Sequence, residues 1–463
     1  MNNTGTIIHY EHFNNLTNWS VAGAISQSIS YNKKYKLVPI GQFLTRNRNV
    51  INIDDETVYT QLTLKINNGG VVERCKKKGA EIGTKKQIIV RKGQFIFSKI
   101  DARNGAFGII PDELDGAIVT NDFPVFDIDQ SIINPTFLLL VTTTKAFVKF
   151  VQSCSSGTTN RQRIDIDAFL QQKIPLPSIS DQKVIINRYN CSISEAKNYE
   201  YKVIQIEKEI NAYLLNALSC VSGSNKIILD KDKKGSFKYL QFTRLECLSR
   251  WDLYNERIVC KSNRYKNVKL STVVVSKPQY GAGYSSIPYD RIIRYIRITD
   301  INEDGSLNES AVSAKGYSEK YLLKENDFLI ARSGNTVGKT FLYNDILGKA
   351  IYAGYLIRFE LDTTQIIPEY LLAYTKCSIY KAWIQGNMRV SAQPNINSQQ
   401  YMDSPIILPP RNIQSIIVAY VNEQKALIMQ LKQKAQREKN KALKQFEKEI
   451  FNNYPCGTNN LIL

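Results

Sequence analysis

The sequence has few of the residues that build metal centres and nucleophilic active sites. It contains only two histidines, His9 and His12, and none of its eight cysteines stands in a Cys-x-x-Cys pair. Zinc sites and His-based triads need such residues at set spacings, so neither is expected here. The cysteines are predicted as small core residues or free thiols, and we expect no metal and no cofactor.

Long apolar segments are also missing. The longest runs, such as Phe137–Val141 and Val273–Val275, are far shorter than the roughly 18 residues of a membrane span. The first five residues are polar and uncharged, which is not the pattern of a signal peptide. These observations predict a soluble cytoplasmic protein with no membrane partner.

Positive charge, in contrast, is abundant. The chain has 463 residues, with 61 Lys and Arg against 42 Asp and Glu, for a formal charge of +19. Such an excess favours a polyanionic partner. The length is about three times that of a typical domain, which indicates two or more folded units.

The chain repeats itself after about 232 residues, half its length. The repeated features keep their order, which predicts a tandem duplication. Matching pairs are Leu16-x-x-Trp19 with Leu248-x-x-Trp251, 35–40 with 265–270, 59–63 with 295–299, 94–99 with 327–332, 135–139 with 368–372, and Leu176-Pro177-x4-Gln182 with Leu408-Pro409-x4-Gln414.

Each repeat changes character partway. Short β-rich runs broken by Gly, Asn and Asp predict an α+β domain, and a proline-containing stop then precedes a long helical pattern that begins near Ser180 or Asn412, both good N-cap residues. We predict a first domain at 1–179, a central long helix at 180–222, a second domain at 223–411, a C-terminal long helix at 412–453 and a tail at 454–463.

Both helices carry an apolar seam. In the first, apolar residues recur at steps of three and four, and in the second a seven-residue period is interrupted by Gln424 and Glu438. We predict that the two helices pair as an antiparallel coiled coil; the alternative is that each packs on its own domain. The helix residues expected to bind a partner are Ile193, Val203, Ile206, Ile210, Val421, Ile428, Leu431 and Phe446.

This plan resembles the specificity subunit of type I restriction-modification systems over essentially all of residues 1–453. Strings similar to those of the family are Pro278–Gly283, Tyr295–Ile301, Asn326–Gly334 with Gly338-Lys339, Ser98–Gly108, and the two Leu-Pro-x4-Gln junctions. The first repeat lacks the Gln-Tyr-Gly string and has Gly93-Gln94 in place of Asn326-Asp327. The two domains are therefore expected to read different DNA sequences.

The resemblance implies two target-recognition domains that bind a bipartite duplex DNA site and no catalysis in this chain. It also implies two modification subunits, which bind the helices and methylate adenine, and restriction subunits in the full complex, as a defence against foreign DNA. A related arrangement, in which a fused restriction-modification protein uses a separate specificity chain, stays open.

A DNA reader needs cations for phosphates and forked or amide side chains for base edges. Lys76, Lys77 and Lys78 suit phosphates, because lysine is a point charge, whereas Arg103, Arg161, Arg163, Arg332 and Arg389 are the preferred base readers. The full predicted set is Lys76, Lys77, Lys78, Lys99, Arg103, Arg161, Arg163, Gln279, Arg297, Arg332, Lys339, Arg389 and Gln393.

Enzymatic alternatives fit less well. Gly334–Thr340 looks like a phosphate-binding loop, but it has three residues between its glycines instead of four and precedes a strand-like run. No string suited to an adenine methyltransferase and no nuclease pattern appears. Two other hypotheses remain: a coiled-coil scaffold that binds protein, and a single-stranded nucleic-acid binder that uses the many tyrosines.

Overall fold

The computed structural model describes residues 31–144, 147–148, 151, 155–156, 163–221, 261–388 and 394–451. The predicted site residues Arg161, Arg389 and Gln393 lie outside these residues, as do both histidines and both Leu-x-x-Trp motifs. The chain divides into two compact units. Unit 1 comprises Met1–Tyr199 with Gln433–Leu463, and unit 2 comprises Glu200–Lys432.

The described part of unit 1 contains two larger sheets, two short strand pairs and several helical segments. Its elements are β1 (Lys36–Pro39), β2 (Leu44–Asn47), β3 (Val50–Asn52), β4 (Val58–Leu64), β5 (Val71–Lys78), β6 (Lys86–Ile89), β7 (Phe95–Phe97), β8 (Phe107–Ile109), β9 (Ile118–Val119), β10 (Val125–Ile128), α1 (Pro135–Thr142), β11 (Ser155–Ser156), β12 (Arg163–Ile164), α2 (Ile166–Gln171), β13 (Lys173–Leu176), the beginning of α3 (Ile179–Ala217) and the last part of the C-terminal long helix. A five-stranded sheet has the order β3-β6-β9-β4-β5 and a four-stranded sheet the order β2-β10-β7-β8, and β1 pairs with β13 and β11 with β12.

Unit 2 repeats the four-stranded sheet and has several strand pairs beside it. Its elements after α3 are β14 (Cys220–Val221), β15 (Lys261–Ser262), β16 (Lys266–Lys269), β17 (Gln279–Tyr280), β18 (Ser286–Pro288), β19 (Arg294–Ile296), β20 (Val312–Ala314), β21 (Phe328–Ala331), β22 (Thr340–Leu342), β23 (Ala350–Tyr352), β24 (Leu356–Phe359), α4 (Pro368–Tyr374), α5 (Ser378–Asn387), α6 (Ser398–Met402), β25 (Pro405–Leu408) and the first part of α7 (Arg411–Ile450). The order of the four-stranded sheet is β17-β24-β21-β22.

The central strands β7 and β21 are buried on both faces. In β7, Phe95 and Phe97 pack in one core with α1 and α2, whereas Ile96 packs in a second core against the five-stranded sheet. In β21, Phe328 and Ile330 face one core while Leu329 and Ala331 face another. Side chains alternate between the faces of a strand, so a strand between two cores needs an unbroken apolar run.

The predicted duplication is confirmed in the pairing of the strands. Strand β1 pairs antiparallel with β13, from Lys36 opposite Leu176, and β16 pairs with β25 in the same way, from Lys266 opposite Leu408. A short helix with proline at its start, α1 or α4, follows at the equivalent place in each unit. The predicted α+β tandem repeat with a long helix after each domain is the fold of the chain.

The long helices begin and end slightly earlier than predicted. Helix α3 starts at Ile179 and α7 at Arg411. The Ser178 hydroxyl accepts a hydrogen bond from the Asp181 amide (3.2 Å), so Ser178 caps α3 and the predicted cap Ser180 lies inside the first turn. Helix α3 stops at Ala217, short of residue 222, because Ser219 turns the backbone to a positive φ of 49°.

Within each unit, the parts of α3 and α7 that belong to it pack side by side and antiparallel. In unit 1, Tyr189 contacts Phe446, with ring centroids 6.4 Å apart, and Arg188 lies near Glu449 while Glu195 lies near Lys441. In unit 2, Tyr213 stacks on Tyr420 at 3.8 Å. The predicted seam is thus the contact between the helices.

A buried glutamine joins each long helix to its domain. In unit 1, Gln182 is fully buried, its Oε1 accepts from the Asn134 amide (2.7 Å), and its Nε2 donates to the Ile132 and Pro177 carbonyls. In unit 2, Gln414 makes the same three bonds, to the Ile367 amide and the Gln365 and Pro409 carbonyls. Repetition of this network explains the Leu-Pro-x4-Gln junctions.

Candidate nucleic-acid interface

The ends of β7 and β21 hold two predicted cations at equivalent places, one in each unit. The Lys99 amide donates to the Asp122 carbonyl (2.9 Å) and its carbonyl accepts from the Ile164 amide (3.0 Å). The Arg332 amide donates to the Tyr355 carbonyl (3.0 Å) and its carbonyl accepts from the Ile396 amide (3.0 Å). Each unit therefore fixes the backbone of this residue with the same pair of hydrogen bonds.

In unit 1 the structure brings Lys99 together with Arg163 and with Arg46 of β2. Burial lowers the pKa of Lys99, and the nearby charges of Arg46 and Arg163 lower it further, opposed by Asp122. Arg163 Nη2 lies 3.1 Å from Asp122 Oδ1. Lys99 thus has two cations and one carboxylate as charged neighbours, which leaves a local excess of positive charge suited to an anionic ligand.

The other predicted cations of unit 1 lie elsewhere. Lys76, Lys77 and Lys78 are exposed on β5, the edge strand of the five-stranded sheet, where successive side chains point to opposite faces. Lys76 lies 4.0 Å from Glu73 and Lys78 3.7 Å from Glu56. The three lysines therefore do not form one patch. Arg103 is half-buried in the 3₁₀ turn Ala102–Asn104.

In unit 2 the guanidinium of Arg332 lies over the rings of Tyr280 and Tyr355, and we call these three side chains the clamp. The central carbon of the guanidinium is 4.9 Å from the ring centroid of Tyr280 and 5.9 Å from that of Tyr355. Cation–π contacts and stacking hold a planar guanidinium in one orientation more firmly than solvent does. Tyr280 and Tyr355 are 39% and 53% exposed, so this clamp lies at the surface.

The Gln279–Gly283 string builds one side of the clamp. A side chain at Gly281 would meet the Tyr352 and Ala353 carbonyls at 2.4 and 2.3 Å, so only glycine allows this approach of the backbone. The Tyr280 hydroxyl lies 3.1 Å from Ser398 Oγ and accepts from the Ser398 amide (3.2 Å). Gln279, on β17, lies beside Tyr280 and is half-buried.

Two predicted cations of unit 2 are held by local carboxylates. Arg297 donates through Nε (3.1 Å) and Nη2 (2.7 Å) to Asp300, which is 1% exposed, and this pairing raises the pKa of Arg297. Lys339 lies 3.1 Å from Glu303 and donates to the Ile301 carbonyl. A strand, β22, follows Lys339 directly, as the strand-like run after Thr340 predicted.

Most of the predicted helix residues lie in the interior. Val203, Ile206, Val421, Leu431 and Phe446 are buried, and Ile193, Ile210 and Ile428 are half-buried. The exposed apolar side chains of the long helices are a different set: Val184, Tyr201 and Ile204 on α3, and Ile416, Leu427 and Met429 on α7.

Sequence reasoning missed Arg46, Asp122, Tyr280 and Tyr355 as components of these sites. Arg46 precedes Lys99 by more than 50 positions, and no local pattern links them. Tyr280 stands in one of the strings that carry the family resemblance, but the sequence assigned it no role of its own. The available signal was the repeat itself, because it placed Lys99 opposite Arg332 at the ends of matching strands.

In the described parts of the chain, no group of three or more His, Cys, Asp or Glu side chains is placed to hold a metal ion. Likewise, none of the described helices has both the length and the hydropathy needed to cross a bilayer.

These features define a duplicated α+β protein whose two units carry a cation at the same strand end. The family model for the type I restriction modification DNA specificity domain matches residues 32–214 and 287–450. The chain belongs to this family, and recognition of a DNA sequence is the function of its domains. No curated protein matches the chain.

Three solved structures are similar in fold. One describes complex assembly and conformational transition of the type I R-M system (16% identity, TM-score 0.49, 90% of this chain and 98% of that chain). The others are the HsdS subunit from Thermoanaerobacter tengcongensis (14%, 0.36, 90% and 96%) and the S subunit from M. genitalium (12%, 0.40, 91% and 98%). Family membership rests on the family model.

Proposed function

We propose that this chain is a non-catalytic specificity subunit that binds a bipartite duplex DNA site. Each unit reads one half-site, and the chain directs modification and restriction subunits to it. The observation that carries this proposal is the pair of equivalent sites at Lys99 and Arg332, which share their backbone hydrogen bonds in both units. A duplicated reader needs such a repeated site.

The two sites differ in their side chains, and we infer that the half-sites differ too. Lys99 is accompanied by Arg46, Arg163 and Asp122, whereas Arg332 is accompanied by two tyrosines. A cluster of cations favours phosphates, while a fixed planar guanidinium favours a base edge. An asymmetric DNA site follows from this difference.

We place the partner subunits on the long helices. Tyr201 is 61% exposed and Ile204 49% on α3, and Leu427 is 41% exposed and Met429 60% on α7. Tyr201 and Ile204 are three residues apart and so are neighbours on one face of α3, and exposed apolar neighbours are typical of protein contact sites. In this proposal the buried seam stabilises the helices, and the exposed residues contact the modification subunits.

Selection from a random duplex library tests the function. The full chain, co-purified with its co-expressed modification subunits, is expected to enrich two short sequence blocks separated by a spacer of fixed length and free composition. Affinity for the selected duplex should fall by about 10³-fold or more between 50 and 200 mM salt. Enrichment of no duplex motif, or tighter binding to single strands of the same sequence, would contradict the proposal.

A further inference from the structure

The clamp around Arg332 presents a planar group in a fixed orientation. The rings of Tyr280 and Tyr355 pack against the guanidinium, and both backbone groups of Arg332 are bonded within unit 2. An arginine prepared in this way loses little conformational freedom when its forked N–H groups bind a ligand.

Polar atoms beside the clamp are left without partners. In the described part of the chain, neither the buried Nε of Arg332 nor the buried Oδ1 of Asn395 has a hydrogen-bond partner. Asn395 forms an isolated bridge with Ser333, the residue after Arg332. Buried polar groups in folded proteins are normally satisfied, so these two atoms leave hydrogen-bonding capacity unused next to the guanidinium of Arg332.

We propose that Arg332 recognises a guanine in the half-site of unit 2, and that Lys99, its equivalent in unit 1, binds a backbone phosphate. This inference rests on the proposed function and assigns a chemical role to each equivalent position. A base reader and a phosphate anchor at matching places would let one fold recognise two different half-sites.

The chemistry of the two side chains supports this division. Arginine can donate two parallel hydrogen bonds to O6 and N7 of guanine in the major groove, and a base pair without those acceptors leaves the fork unpaired. Lysine has no fork. Lys99 also lies near Arg46 and Arg163, and a concentration of cations suits the phosphate charge but carries no sequence information.

Library selection with variants tests this assignment. Arg332→Ala should lower the preference for one G·C pair, in one half-site, by roughly 5- to 150-fold while the other positions keep theirs. Arg332→Lys should lose the same preference although it keeps the charge, and Tyr355→Ala should weaken it. Lys99→Ala should weaken binding to all duplexes alike and reduce the salt dependence by about one phosphate contact.

Lys349→Ala is the matched control, because it removes an exposed cation of unit 2 that is not part of the clamp and should change no base preference. Thermal melting of each variant separates loss of recognition from loss of folding, and Arg332→Lys covers the case in which Arg332→Ala is unstable. If the parent chain enriches a bipartite motif but Arg332→Ala and Arg332→Lys leave every preference intact, or lower all of them equally, the assignment is wrong. If the parent chain enriches no duplex motif, the proposed function itself fails.

Discussion

At the scale of single residues, the side chains that an arginine contacts decide whether it is a candidate for reading a base. Arg297 and Arg332 are both half-buried arginines of unit 2, yet Arg297 is bonded to the buried carboxylate of Asp300 whereas Arg332 faces two tyrosine rings. Sequence could rank both as candidates, because each is an arginine in a basic domain. Sequence could not separate the two arginines, because Tyr355, which contacts Arg332, lies directly before another strand, β24.

The hydrogen-bond network of the buried glutamines leads to a prediction about stability. Gln182→Ala would remove three hydrogen bonds, one buried and two part-buried, including those to the Asn134 amide and the Pro177 carbonyl. We expect a loss of about 2 to 5 kcal/mol, since each unsatisfied buried group costs about 1 to 3 kcal/mol. Chemical denaturation monitored by circular dichroism measures it.

The control is Asn187→Ala, one helical turn and a half further along α3, where the side chain is exposed and the change should stay within about 0.5 kcal/mol. Gln182→Glu keeps the acceptor and loses both donors, so it should also destabilise the protein. Equal stability of Gln182→Ala and Asn187→Ala would show that the hydrogen bonds of Gln182 do not hold α3 to its domain.

At the scale of elements, the seven-residue pattern predicted the long helices but not every seam position. Ile193 was predicted in the seam and is half-buried, whereas the neighbouring Ser192 is 7% exposed. Ile185, Ser192 and Tyr199 follow one another at steps of seven residues and so lie on the same face of α3. The position of a residue on the helix, and not its hydrophobicity, therefore decides which side chain points inward. Helix α3 therefore has a small polar residue, Ser192, at a buried position for which the sequence pattern predicted the neighbouring Ile193.

A half-buried lysine contacts several elements of unit 2. Lys376, which follows α4, donates to the Thr340 carbonyl (3.0 Å) and faces Lys425 of α7, Lys381 of α5, and Glu303 and Asp304 of the loop before Gly305. Burial, and next the charge of Lys425, lowers the pKa of Lys376 from 10.5 to about 7. Burial lowers the pKa of Lys425 as well.

This arrangement predicts a pH dependence of stability. Between about pH 7 and pH 10.5 the unfolded chain holds the proton on Lys376 and the folded chain does not, so unit 2 should become more stable as pH rises through this window. Below about pH 7 both states carry the proton, and the destabilisation by this residue is complete. Lys376→Met should raise the melting temperature at pH 7 and flatten its rise towards pH 10.

Thermal melting at several pH values between 7 and 10 checks this expectation, with Lys349→Met as the control that removes an exposed lysine. The control should follow the parent curve. A Lys376→Met curve parallel to that of the parent would mean that Lys376 is not the group responsible.

At the scale of the whole molecule, the sequence allowed the duplication, the α+β class and both long helices to be predicted, because repeats and heptads leave periodic traces. The parts that differ between the units were not predictable in this way. Unit 1 carries a five-stranded sheet with the β4–β5 hairpin, whereas unit 2 has short strand pairs in that part of the sequence. Apart from that hairpin, the strands of this sheet pair across long separations, and no local pattern records their partners.

The last prediction concerns the two places where the long helices pass from one unit to the other, at Tyr199–Glu200 in α3 and Lys432–Gln433 in α7. One heptad of helix-forming residues inserted at both places keeps the apolar seam in phase and leaves the contacts within each unit intact. Each helix becomes about 10 Å longer, at about 1.5 Å per residue.

If each unit reads one half-site, that length corresponds to about three base pairs at about 3.4 Å each. Each added pair also turns the duplex, so we expect the spacer of the enriched motif to lengthen by two or three base pairs, with both half-site sequences unchanged. Library selection with the doubly extended chain and its modification subunits measures this. The same heptad inserted in α3 alone is the control, which should lose stability because its seam no longer matches that of α7. A doubly extended chain that selects the original spacer would show that the helices do not set the distance between the half-sites.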